Sequence, residues 1–161
     1  MMRRRGLLVC LVSSLFGVLG CSVKKMPEGE LLRVKYSRHA ARAGAEYEGL
    51  VERDSTGTYI LKAMQTPYGP LFQKQLDATE VQQFRQIIQE EKMYQYKDIY
   101  TPMMRVLDGY SWSFYAKFSD GSSISTHGEN ARPKGEGLAR IRNLMTALAK
   151  EGIQIEESET P

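Results

Sequence analysis

Tyr110-Ser111-Trp112-Ser113-Phe114-Tyr115-Ala116-Lys117-Phe118 alternates without a break. Tyr110, Trp112, Phe114, Ala116 and Phe118 fall on one side of an extended chain, and Ser111, Ser113, Tyr115 and Lys117 fall on the other. Asp120-Gly121 then turns the chain into residues 122–127, which completes the clearest hairpin signal in the sequence. One side of this hairpin must be buried, so the rest of the chain has to supply what covers it. That requirement organises the reading on both flanks.

On the C-terminal side, Gly128-Glu129-Asn130-Ala131-Arg132-Pro133 reads as a connection into a helix carrying Leu138, Ile141, Leu144, Met145 and Leu148 on one stripe. Gly152 stands where a left-handed cap residue ends a helix, with Ile153 in place for the hydrophobic contact that follows it. Residues 153–161 read as an acidic flexible tail.

On the N-terminal side, residues 93–109 hold Tyr94, Tyr96, Tyr100, Met103 and Met104 in no clean period. They read as a loop ending in a short strand near Val106. Before them, Asp77 is an N-cap with Glu80 as its capping-box partner, and Val81, Phe84, Ile87 and Ile88 form one apolar stripe. Phe72 and Leu76 alternate with Gln and Lys in a short strand, preceded by the turn Pro67-Tyr68-Gly69-Pro70. Residues 46–53 and 58–66 flank Asp54-Ser55-Thr56-Gly57 as a second hairpin. Leu32, Val34 and Tyr36 alternate with Arg33 and Lys35 as a first strand. The expectation is an α+β fold: an antiparallel sheet of about five to six strands with two amphipathic helices packed on one face. It occupies residues 31–152 as one domain, and about 120 residues bury roughly two-thirds of their unfolded surface, enough for an independent core.

The start of the chain reads as an address. Arg3, Arg4 and Arg5 precede an apolar run over residues 7–19, the charged and hydrophobic parts of a secretory signal. As a helix this run of about 13 residues would cover about 20 Å, short of the roughly 30 Å hydrocarbon core. It ends in Val18-Leu19-Gly20-Cys21, which resembles the lipobox of bacterial lipoproteins. The resemblance implies cleavage after Gly20, a diacylglyceryl group on the Cys21 thiol and acylation of the new amino group. Residues 1–20 would be removed, and 21–30, with Lys24, Lys25, Pro27 and Gly29, would form a tether. Ser22 after the cysteine implies sorting to the outer membrane, facing the periplasm.

Processing also reshapes charge and thiol content. The formal charge is +3, with 22 Lys+Arg against 19 Asp+Glu, and residues 1–20 hold three arginines and no acid. The processed chain is therefore neutral, which removes the basis for a nucleic-acid partner. Cys10 leaves with the signal and Cys21 carries lipid, so disulfides do not staple the domain.

The stretch Val106-Leu107-Asp108-Gly109-Tyr110-Ser111-Trp112-Ser113, continued by Phe118-Ser119-Asp120-Gly121 and the 128–133 connection into the last helix, is similar to a pattern in small uncharacterised bacterial proteins, many of them lipoproteins. The resemblance covers the C-terminal half. It implies a shared fold and carries over no catalytic residues.

The binding candidates are aromatic. Tyr96, Tyr100 and Trp112, with Tyr94 and Tyr110, could present ring faces, and His127, Asn130 and Arg132 could supply polar groups beside them, a composition suited to an envelope protein, peptide or glycan. A hydrolase using His127 with Asp108 or Glu129 is the alternative, without a G-x-S-x-G elbow to support it. A structural subunit of an envelope complex is a third reading. Glu46, Glu48 and Glu52 share a strand face, which reads as a solvated row rather than a metal site; no cofactor is expected. Gly135-Glu136-Gly137 lacks the third glycine and the preceding strand of a dinucleotide loop.

Overall fold

The computed structural model describes residues 24–40, 44–65, 69–104 and 109–155. The signal segment, Cys21, the Pro67-Tyr68 turn, the strand expected near Val106, Asp108 and residues 156–161 lie outside them.

The alternating segments form strands β1 (Leu31–Ala40), β2 (Gly44–Arg53), β3 (Tyr59–Met64) and β4 (Leu71–Leu76), then helix α1 (Ala78–Glu90). A short 3-10 turn (Met93–Gln95) leads to β5 (Ile99–Tyr100), the long hairpin β6 (Tyr110–Phe118) and β7 (Ser123–Glu129), α2 (Gly137–Lys150) and β8 (Ile153–Ile155). The described residues make one eight-stranded sheet in the order β5-β7-β6-β1-β2-β3-β4-β8. Every pairing is antiparallel except β5 with β7. The class is α+β as expected, with more strands than the five to six anticipated. The extra ones are β5 and β8, two and three residues long, too short to carry a legible period.

Both helices cover one face of the sheet. Val34, Tyr36, Val51, Leu61, Phe114, Ala116 and Phe118 are buried there against Phe84, Ile88, Ile141 and Met145 of the helices. The stripe expected on α1 is the one it buries, and Asp77 and Glu80 form the capping box reciprocally. Both hairpin turns also form as read. Asp54 accepts from the Thr56 and Thr58 amides beside Gly57 at φ +90°, and Asp120 accepts from the Ser122 amide beside Gly121 at φ +84°.

Three local expectations are corrected. Leu31, not Leu32, faces the core: the register against β6 jumps from Leu31↔Phe118 to Arg33↔Lys117, so Leu32 is a bulge residue. Gly152 is not left-handed; the cap residue Glu151 is right-handed, and Gly152 is required because any Cβ would collide with the Gln73 carbonyl of β4. Residues 93–100, expected as loop, form a 3-10 turn and the short strand β5, with Met93 wholly buried and Tyr96 buried beside it.

Residues 24–30, expected as a tether, lie against the domain. Arg85 of α1 donates to the carbonyls of Pro27, Glu28 and Gly29. The Glu28 and Gly29 amides donate to Asp120 at 3.1 and 2.9 Å, and Glu30 exchanges bonds with Ser119. Lys24 reaches Asp98 at 2.9 Å. We refer to this segment as the strap.

Candidate functional site

The aromatic candidates separate into core and edge. Trp112 is buried and its indole N–H donates to the Ala131 carbonyl at 2.7 Å. Its ring packs on Tyr100 at 5.8 Å between centroids, and Tyr100 meets Tyr96 edge-on at 6.4 Å. Tyr100 and Tyr94 are half-buried; Tyr96 is buried. Gly137 leaves the room for the Tyr96 hydroxyl, which finds no hydrogen-bond partner among the described residues. Burial pushes that hydroxyl up to about 12, with the nearby Glu91 carboxylate adding to the effect. These rings close one end of the core, so their energetics are those of packing before recognition.

Asn130 and Arg132 stand apart from each other in role. Asn130 adopts φ +50°, and its side chain accepts from the Tyr110 amide while its own amide donates to the Tyr110 carbonyl. It ends the β6–β7 ladder, and Gly109 is the neighbour that leaves space for its amide. Arg132 is exposed.

The structure brings Tyr96 and His127 together, in a cleft of about 390 Å³ lined by Lys24, Tyr94, Tyr96, Asp98, Ser125 and His127. Lys24 holds the Asp98 carboxyl below its usual range, chiefly through their hydrogen bond. Asp98 meets His127 only through the backbone, its carbonyl accepting from the His127 amide at 3.0 Å. His127 and Glu129 share the exposed side of β7 with Ser123 and Ser125. Among the described residues no hydrogen bond joins the imidazole to a serine or a carboxylate; Asp108, one of the two carboxylates expected to serve it, lies outside them. Alternation along β7 places Ser123, Ser125 and His127 on one side from sequence alone. Lys24 and Asp98 carry no such signal, being 74 residues apart.

The acidic row on β2 is paired with β1. Glu52 faces Arg33 at 3.4 Å, Glu46 faces Arg38 at 2.8 Å and Glu48 faces His39 at 3.6 Å. Among the described residues no three His, Cys, Asp or Glu side chains gather in a way that could hold a metal ion.

The second face of the sheet carries no helix among the described residues. Its register runs Leu50, Lys62, Gln73, Ile153 in one row across β2, β3, β4 and β8 and Met64, Leu71, Ile155 in the next, with Ile60 two residues from Lys62. Leu50, Ile60, Met64, Leu71, Ile153 and Ile155 thus form an apolar patch, half-buried except for the exposed Ile153. Leu50 and Ile60, with Glu52, Asp54, Lys62 and Gln73, line a shallow depression of about 300 Å³. Leu50, Ile60 and Met64 lie in segments expected as strands, whereas Ile153 and Ile155 were expected in a flexible tail and instead pair with β4 as β8; that the six adjoin depends on strand order.

No described helix is long and apolar enough to cross a membrane. Comparison of the chain with protein-family models, with curated proteins and with solved structures finds no match.

Proposed function

We propose that the protein is a lipid-anchored domain of the cell envelope that acts by binding another envelope protein rather than by catalysis. The observation that carries the binding reading is the sheet face that no described helix covers. Six apolar side chains adjoin there with Glu52, Lys62 and Gln73 among and around them. An apolar patch with polar and charged groups within and around it is the composition of a protein contact. The hydrolase reading has less support: among the described residues no hydrogen bond ties the His127 imidazole to a carboxylate, and Asp108 lies outside them.

The anchor rests on the order of parts at the N-terminus: three arginines, an apolar run, a small residue and Cys21. A single acyl chain binds membranes marginally, at about 0.8 kcal/mol per buried methylene, and two or three chains hold firmly. Outer-membrane attachment facing the periplasm is the placement that Ser22 favours.

Photo-crosslinking in cells tests the binding surface. A crosslinker at Lys62, on the patch, is expected to give a discrete adduct that Leu50→Asp removes. The same group at the exposed Gln83 of α1 should give none. No adduct from position 62, or the same products from both positions, would sink the reading. The anchor is tested separately, by the acyl mass on the Cys21 peptide and by release of Cys21→Ser from membranes.

A further inference from the structure

We infer that the β5 edge of the domain is a membrane-contacting surface that lies on the bilayer to which Cys21 is anchored. The inference rests on the lipid-anchor reading and adds a fixed orientation to it.

The strap removes the slack that a tether would have. From Lys24 to Glu30 the chain is bonded to α1, to the β6–β7 turn and to Asp98. Only three peptide steps separate Lys24 from Cys21, so the backbone between them spans at most about 11 Å. Acyl chains on Cys21 therefore hold the part of the domain around Lys24 at the headgroup level.

The strand beside Lys24 and the chain that follows it carry exposed apolar side chains. Among the described residues the exposed large hydrophobics are Ile99, Met103, Met104 and Ile153, and the first three belong to β5 and the segment after it. They are 57, 104 and 81 % exposed. Ile99 and Lys24 line the same cleft, and Lys25 and Lys97 are exposed beside them. Apolar side chains that enter the acyl boundary while lysines stay among the headgroups are the pattern of interfacial attachment. A second protein on this edge would have to fit within the same 11 Å of the lipid, which favours the lipid surface itself.

The test uses the mature, lipidated protein in vesicles of phosphatidylethanolamine and phosphatidylglycerol. With Cys21 blocked by its thioether, Met104→Cys and Lys62→Cys each offer one thiol for an environment-sensitive fluorophore. Both positions are exposed, and unchanged Trp112 emission reports that the fold is retained. The label at 104 is expected to shift to the blue and to be quenched by spin-labelled lipids. The label at 62, on β3 and roughly 24 Å across the sheet from β5, should do neither. If both labels remain unquenched while the Cys21 peptide carries its acyl mass, the membrane-contacting surface is wrong and the anchor stands. If Cys21 carries no lipid, the anchor reading fails and this inference falls with it.

Discussion

Asp120 accepts four hydrogen bonds: from the Glu28 and Gly29 amides on one oxygen, and from the Ser122 amide and hydroxyl on the other. The Ser122 hydroxyl, the Gly29 amide and the Ser122 amide are the main causes that lower its carboxyl to about 2. A carboxyl whose folded value is depressed contributes stability above its unfolded value, near 3.9, and loses it as pH falls through the folded value. The strap is therefore expected to loosen between about pH 4 and pH 2, before global unfolding. The protection of the Glu28 and Gly29 amides, as exchange relative to the intrinsic rate at each pH, should fall over that window in the native protein. In Asp120→Asn it should already be low at neutral pH. Unchanged protection in both cases would show that Arg85 alone holds the strap. The turn around Asp120 was legible from Asp120-Gly121, because a turn is local chemistry. Its second role, gripping residues 28 and 29, was not, because nothing local records a contact across 91 residues.

Helix α1 carries its start signal in its own sequence. Removing the cap with Asp77→Ala leaves the Glu80 amide unsatisfied and is expected to cost about 1 kcal/mol. Urea denaturation followed by Trp112 emission should place the loss in the midpoint with the slope unchanged. Its other end depends on a neighbour. Glu90 and Glu91 stand at the negative end of the helix dipole, and Arg140 of α2 pairs with both, at 2.7 and 2.9 Å. Elements with a long period were readable for this reason: α1, α2, β6 and β7 each repeat their pattern several times. The bulge at Leu32 and the two-residue β5 were not, since a single extra residue or a single pair leaves no repeat to detect. At the candidate site the same limit applies. Tyr96 and Trp112 look like binding residues by type, and their burial is decided by which elements pack on them.

At the scale of the molecule, the first strand pairs with the sixth: Leu31 lies opposite Phe118 and Tyr36 opposite Phe114. The centre of the sheet cannot close until most of the chain is available, and such non-local pairing slows folding. Refolding followed by Trp112, the single tryptophan, is expected in the millisecond-to-second range. A microsecond phase carrying the whole amplitude would contradict this account of the core. The strand order also sets the distance between the two surfaces assigned above. The β5 edge and the β8 edge stand at opposite ends of the sheet. With the first on the bilayer, the patch around Leu50 and Ile60 is held away from it, free to meet a partner.

The sequence by itself determined the α+β class, the N-terminal cap of α1, both hairpin turns and the apolar stripes. Each of these depends on dihedral preferences and periodicities within about a dozen residues. Tertiary structure alone decided that β1 enters the middle of the sheet, that residues 24–30 are strapped down, that Tyr96 and Trp112 are core, and that six apolar residues from four strands adjoin on the open face. Those outcomes depend on which elements become neighbours, a choice made by burying the whole apolar surface at once and written in no single segment.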